Sequence, residues 1–115
     1  MQISTRDSYG VLVVELEGSL DTSTIGQTSD ELVRLVKNGN DKIILNLERL
    51  EYINSAGLRA ILLAAKLLQN NRGEMRICNP NGIVREVLEA SGFNSLLYLH
   101  DTEADAFANF LDKGK

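Results

Sequence analysis

Much of the chemistry that enzymes and metal-binding domains depend on is absent from this sequence. It has one cysteine, Cys78, and one histidine, His100, which are too few for an internal disulfide or a zinc cluster. A glycine-rich phosphate loop and the Gly-x-Ser-x-Gly pattern of hydrolases are also missing. We therefore predict a non-enzymatic protein without a metal site or a cofactor, in which Cys78 is a small core residue and His100 is structural or lies at the surface.

The sequence also lacks long apolar runs and an excess of basic residues. The longest nearly apolar stretch, residues 60–68, is interrupted by Lys66, whereas a membrane-spanning helix needs about 20 apolar residues. The first six residues contain no apolar signal region. The formal net charge is −4, while nucleic-acid-binding domains usually gather a basic face. We expect a cytoplasmic protein that has protein partners, binds no nucleic acid and does not insert into membranes.

What is present is the composition of an ordinary folded domain. The 115 residues are 43% hydrophobic and 24% charged, which allows one core and predicts a single domain over residues 1–115. Strand-like and helix-like apolar patterns alternate along the chain, with strands predicted at 3–6, 10–17, 43–47, 74–78 and 96–99. Helices are predicted over 22–38, from 55 to about 69, after 81 and from 101. This β-β-α-β-α-β-α-β-α order predicts an α/β fold with a mixed, mostly parallel sheet and helices packed against it.

Two loops of this predicted sheet carry the candidate functional residues. Asp21 follows the second predicted strand, and Ser55 follows the third. A strand-helix-strand crossover makes these two strands parallel, so that their carboxyl ends lie at the same edge of the sheet. If the strands are neighbours, the two loops lie side by side, although they are far apart in the sequence.

Ser55 stands at the start of a predicted helix, beside Gly57. The first amides of a helix have no internal partner and carry the positive end of its dipole, so this position favours an added phosphate. Capping of the helix by Ser55 or by Asn54 explains the same residues, and the two roles are compatible. Asp21 likewise has two roles open to it, because it can cap the following helix or accept a hydrogen bond from the Ser55 hydroxyl.

Several short motifs resemble those of a known family. They are GSLD at residues 18–21, LNL at 45–47, INSAGL at 53–58, GEM at 73–75 and SGF at 91–93. Their order and spacing, over about residues 3–111, resemble a STAS domain, and more narrowly a bacterial anti-sigma factor antagonist. The resemblance implies the STAS fold and a switch that acts in transcription regulation through protein–protein interaction.

The resemblance also implies partners and residue roles. Ser55 matches the serine that is phosphorylated by an anti-sigma factor, itself a serine kinase with a histidine-kinase-like ATPase fold. The unphosphorylated form binds this kinase and releases a sigma factor, and a PP2C-type phosphatase reverses the modification. Asp21, Asn54 and Gly57 match positions that support the phosphorylation site, and Asn54 departs from the family pattern, which often has aspartate there.

The surface around Ser55 is the predicted partner surface. Residues beside Ser55 and off the apolar stripe of the helix should face outward, which makes Gly57, Arg59 and Ala60 candidate contacts. An alternative from another class is a stand-alone STAS adaptor of a membrane transport or lipid-transport complex, in which Ser55 is only a cap. A nucleotide-binding module is a weaker alternative, because the chain has no phosphate loop.

Overall fold

A computed structural model describes residues 1–91 and 98–113, and the side chains of residues 1–91 and 98–110. Six strands and four helices are assigned in these residues. In chain order they are β1 Gln2–Ser8, β2 Val11–Leu20, α1 Ile25–Lys37, β3 Lys42–Asn46, β4 Leu50–Ile53, α2 Ser55–Asn70, β5 Glu74–Cys78, α3 Gly82–Ala90, β6 Tyr98–His100 and α4 Glu103–Lys113. The sheet has the order β1-β2-β3-β5-β6, and β4 pairs with β2 beside this path. The predicted α/β fold with a mixed, mostly parallel sheet is confirmed.

The amino-terminal hairpin supplies the single antiparallel pair of this path. β1 and β2 pair from Gln2 opposite Glu17 to Ser8 opposite Val11. The two residues between the strands, Tyr9 and Gly10, have φ angles of 53° and 82°. Two successive residues with positive φ are typical of the tight turns that match the right-handed twist of a hairpin.

β2 changes partner along its length, and this change positions the candidate site. Its first half pairs in parallel with β3, and its last residues, Gly18–Leu20, pair in parallel with β4 after a shift of register. The shift occurs at Gly18, whose φ of 115° is readily adopted only by glycine. β2 therefore reaches further than the predicted 10–17 and ends directly before Asp21.

β4 is the one strand that the predicted element order lacks. Only four residues long, it buries Leu50 and Ile53 while the two residues between them are exposed. This spacing does not show the alternation by which a half-buried strand is identified in a sequence. Ser55 consequently follows β4, and not β3 as the sequence predicts.

The core has two parts, one on each face of the sheet. α1, α2 and α3 cover the larger part, which includes Leu16, Leu32, Leu45 and Ile61. α4 covers the smaller part, where Ala106 and Phe110 pack against Val13, Ile44 and Cys78. Cys78 is buried, which confirms its predicted place in the core. Among the residues described, none of the helices combines the length and the apolar character that crossing a membrane requires.

The remaining predicted elements differ from the observed ones mainly at their ends. α1 begins at Ile25 instead of residue 22, because the three residues before it form a turn. α4 begins at Glu103, two residues after the predicted start. The last strand is observed at Tyr98–His100, and the rest of its predicted span, residues 96–97, lies outside the described residues.

Candidate functional site

Ser55 is the first residue of α2, and its neighbour Asn54 caps that helix. The Asn54 backbone is extended, and its side-chain oxygen accepts a hydrogen bond of 2.9 Å from the Gly57 amide. The Asn54 carbonyl accepts the first helical bond, at 2.9 Å from the Leu58 amide. Ser55 itself is exposed, and its hydroxyl has no hydrogen-bond partner among the described residues. Capping is therefore the role of Asn54, and the Ser55 hydroxyl is left available.

Asp21 lies beside this helix start because β2 and β4 end together. Leu20 is in register with Ile53, and the Asn54 amide donates a hydrogen bond of 3.2 Å to the Leu20 carbonyl. The loops that carry Asp21 and Ser55 are therefore adjacent, as predicted, although β4 and not β3 brings them together.

The Asp21 carboxylate accepts its hydrogen bonds from its own loop. Its Oδ1 accepts hydrogen bonds from the Ser23 amide at 2.9 Å and from the Ser23 hydroxyl at 2.7 Å. These two bonds stabilise the carboxylate and lower the pKa of Asp21 below its usual value. The hydrogen bond predicted between Asp21 and the Ser55 hydroxyl is not formed within the described part of the chain. The turn before α1 is the observed partner of Asp21, while Thr24 takes the capping position.

Gly57 and Ala60, both predicted as partner contacts, face the core instead. Ala60 is only 4% exposed. A Cβ atom added to Gly57 would lie 2.7 Å from the carbonyl oxygen of Leu20 and 3.2 Å from a side-chain carbon of Ile53. The buried face of α2 is broader than its large apolar residues indicate, because small residues let the helix approach the ends of β2 and β4 closely.

Arg59 is the predicted contact that does face outward. It is exposed and lies one helical turn after Ser55 on the same side of α2. Further along this helix, Leu63 is 62% exposed and Lys66 is exposed as well. An outward surface that runs from Ser55 along α2 therefore exists, but it is built from other residues than Gly57 and Ala60.

An apolar groove that the sequence did not predict lies beside Ser55. The groove has a volume of about 700 Å³, lies between α2 and α3 and is also lined by Tyr52 and Ile53 of β4. Ile83, in the first turn of α3, is 53% exposed and lines the groove. Tyr52, on the strand that was missed, is 44% exposed on the other side. Ile83 is the signal that could have indicated this surface. It is an apolar residue in the first turn of a short helix, and it lies beside the buried positions Val84 and Leu88 and not among them.

Cys78 and His100 lie on β5 and β6, which do not pair with β4, the strand before Ser55. Burial raises the pKa of the Cys78 thiol to about 12, which keeps it protonated and unreactive. A His100 ring nitrogen lies 3.0 Å from the guanidinium of the buried Arg76, and burial followed by this neighbouring charge lowers the pKa of His100. Within the described residues no group of three potential metal ligands comes together.

Comparison with known proteins agrees with this arrangement. The family model described as STAS domain matches residues 2–106. BtrV of Bordetella bronchiseptica, itself assigned as an anti-sigma factor antagonist, is 40% identical over 96% of this chain and 95% of its own length. The anti-sigma F factor antagonist of Paenibacillus polymyxa is 32% identical over 92% of both chains. The chain therefore belongs to the STAS domain family, and within it to the anti-sigma factor antagonists.

A solved structure of this type superposes well. The anti-sigma factor antagonist SpoIIAA in its unphosphorylated form is 25% identical and has a TM-score of 0.79, over 96% of this chain and 97% of that one. The Bacillus SpoIIAA has also been solved in a phosphorylated form, which shares the fold with a TM-score of 0.71.

Proposed function

We propose that this chain is a non-enzymatic STAS-domain switch that binds an anti-sigma factor, and that phosphorylation of Ser55 turns this binding off. In the unphosphorylated state it holds the anti-sigma factor and a sigma factor is released. The anti-sigma factor is also the serine kinase, with a histidine-kinase-like ATPase fold, and a PP2C-type phosphatase restores the binding state. The proposed place of action is the cytoplasm, where sigma factors act.

The observation that carries this proposal is that Asn54, and not Ser55, caps α2. Asn54 satisfies the Gly57 amide, so Ser55 is not needed to cap the helix. Ser55 instead presents an exposed hydroxyl at a point that a kinase can reach. A serine that was only a cap would have its oxygen directed at a backbone amide of the first turn.

The same position tolerates the product of the reaction. A phosphate on Ser55 would add a charge of about −1.5 to −2 at pH 7, next to the positive end of the helix dipole. No acidic residue occurs in the first turn of α2, and Asn54 is neutral, so the incoming phosphate meets no like charge on this turn. Phosphorylation should therefore alter the surface without unfolding the helix.

Related proteins support a switch of this kind. SpoIIAA exists in unphosphorylated and phosphorylated forms that share one fold. Asp21, Asn54 and Gly57 support the site in our proposal through structure: Asn54 and Gly57 fix the helix start, and Asp21 orders the neighbouring loop through Ser23. Arg59 is the partner contact that we retain from the sequence-based prediction.

Phosphate mapping tests the proposal. The purified chain is incubated with ATP and a histidine-kinase-like anti-sigma factor from the same organism, taken from a neighbouring gene where one encodes it, and mass spectrometry locates the phosphate. We expect one phosphate on Ser55, none on the Ser55→Ala variant, and normal phosphorylation of Ser4→Ala, which removes an exposed serine of β1. Phosphate on another residue, or none on the wild type, would contradict the proposal and favour the adaptor of a transport complex.

A binding measurement tests the switch itself. Ser55→Asp places a negative charge at the site, and we expect it to bind the same ATPase at least about tenfold more weakly than wild type, because a charge at an interface must be desolvated. Ser55→Asn is the neutral control and should bind within about threefold of wild type. Equal affinities for Ser55→Asp and wild type would contradict the mechanism.

A further inference from the structure

The groove beside Ser55 is an open apolar surface. Its walls include Leu58 and Leu62 of α2 and Val87 of α3, and Ser55 lies among the residues that line it. Four large apolar side chains are exposed among the described residues, and two of them, Tyr52 and Ile83, line this groove. Contiguous exposed apolar surface on a folded domain is typical of a site that another molecule covers.

Arg59 provides the charge inside this groove. Arg59 is the only charged residue among those described as lining it. α2 contains no Asp or Glu from Ser55 to Asn70, and neither Arg59 nor Lys66 forms an ion pair with any described residue. The whole chain nevertheless has a net charge of −4. The exposed Glu86 of α3 follows Ile83 by one turn but does not line the groove. Among the described lining residues the charge is therefore that of Arg59, and its complement is one acidic side chain.

We infer that the groove receives an apolar segment of the anti-sigma factor that carries an acidic side chain, with the apolar side chains between Leu62 and Ile83 and the carboxylate on Arg59. An amphipathic helix with anchors one turn apart is the form of segment that fits a groove between two helices. This inference rests on the proposed function and adds the chemistry of the partner surface to it.

Arg59 also connects the groove to the phosphorylation site. Residues four positions apart on a helix are neighbours, and Ser55 and Arg59 have this spacing. A phosphate on Ser55 is therefore within reach of the Arg59 guanidinium and competes with the partner's carboxylate for it. Phosphorylation would then weaken binding twice, by adding negative charge at the groove and by occupying the cation that the acidic segment needs.

The groove is tested with a pair of matched variants. Ile83→Gln changes an exposed residue inside the groove, and Leu63→Gln changes a similarly exposed residue outside it. Calorimetric titration of the same ATPase should give about a tenfold weaker affinity for Ile83→Gln. In the wild type the partner buries the exposed half of the Ile83 side chain, and the variant loses this apolar contact. Leu63→Gln should stay within about twofold. Equal losses, or none for Ile83→Gln, would overturn the groove as the docking site.

The charge is tested in the same titration at low and high salt. Arg59→Gln should weaken binding and remove most of its salt dependence, whereas Lys66→Gln, on the same helix but outside the groove, should retain it. A photoreactive phenylalanine analogue in place of Ile83 should cross-link to a segment of the ATPase that contains both apolar and acidic residues. A cross-linked segment without Asp or Glu, or an Arg59→Gln affinity equal to that of wild type, would overturn the inference.

The wild-type titration separates the two proposals. If the wild type does not bind the ATPase, the proposed function fails and this inference fails with it. If the wild type binds and is phosphorylated on Ser55 while Ile83→Gln binds equally well, only the groove is wrong. A second copy of this chain is the competing occupant: a wild-type dimer that Ile83→Gln dissociates would assign the groove to self-association and overturn the inference.

Discussion

Replacing Gly57 with alanine should destabilise the protein, although alanine is the better helix former. Gly57 lies in the first turn of α2 and is buried against the ends of β2 and β4. An added Cβ would come within 2.7 Å of both the carbonyl oxygen and the Cγ of Leu20. The carbonyl is the harder obstacle, because it is backbone and accepts a hydrogen bond of 3.2 Å from the Asn54 amide.

The magnitude follows from two opposing effects. Overpacking a core position costs about 1 to 3 kcal/mol, and moving α2 away from Leu20 also weakens the bond to Asn54. Alanine offsets up to about 1 kcal/mol of this through its higher helix propensity. We expect a net loss of about 1 to 2 kcal/mol in the free energy of unfolding, which is a fall in Tm of about 4 to 8 °C for a chain of this size.

Gly26→Ala is the matched control. Gly26 also lies in the first turn of a helix, α1, but an added Cβ meets nothing within 4 Å. Its helix propensity is therefore not opposed by a clash, and we expect a free energy of unfolding equal to wild type or higher by up to about 1 kcal/mol. Urea unfolding followed by circular dichroism measures both variants. A Gly57→Ala variant as stable as wild type, or one that matches Gly26→Ala, would refute the close approach of α2 to Leu20.

Three further perturbations test the site and the core. Asn54→Ala should lower the free energy of unfolding by about 1 kcal/mol through loss of the helix cap. Asn54→Asp keeps a capping side chain and should lower it much less; urea unfolding measures both variants. Cys78, with its pKa raised by burial to about 12, should react with a thiol reagent at pH 8 only as fast as the protein unfolds; rapid labelling of the native protein would contradict its burial. The folded-state pKa of Asp21 is depressed by Ser23, so the stability it contributes is present above its unfolded pKa and is lost as the pH falls through the folded one. Ser23→Ala should raise the Asp21 pKa in an NMR titration, and an unchanged value would contradict the hydrogen bond from the Ser23 hydroxyl.

The parts of the fold that sequence patterns predict are those with a clear apolar period. α2, with its apolar stripe, and β3, with its nearly continuous apolar run, are confirmed within about a residue of their predicted bounds. β4 was missed because its two buried residues stand three positions apart, which is not the alternation of a half-buried strand. Gly18 could be recognised as a glycine in a motif, but its role in moving β2 from β3 to β4 depends on pairing between distant residues, which a local pattern does not contain.

The site shows the same limit at the level of single residues. The adjacency of Asp21 and Ser55 could be predicted because parallel strands end at a common edge. The division between Asn54 as cap and Ser55 as free hydroxyl could not, since both residue types cap helices well. The burial of Gly57 and Ala60 likewise depends on how closely α2 approaches β2, which small residues permit but do not by themselves require.

The structure of the helix start indicates how a partner would recognise a phosphate on Ser55. The hydroxyl is exposed, the cap is formed by another residue, and the first buried side chain of α2, Leu58, comes three positions later. A phosphate at this point has no core contact to disturb, and the helix dipole favours it. Its effect is therefore a change of net charge from −4 to about −6, concentrated at the groove that Ser55 and Arg59 both line. A partner that distinguishes the two states has to do so by local charge and not by a change of fold, which is why Arg59, rather than any core residue, is where we expect the discrimination to occur.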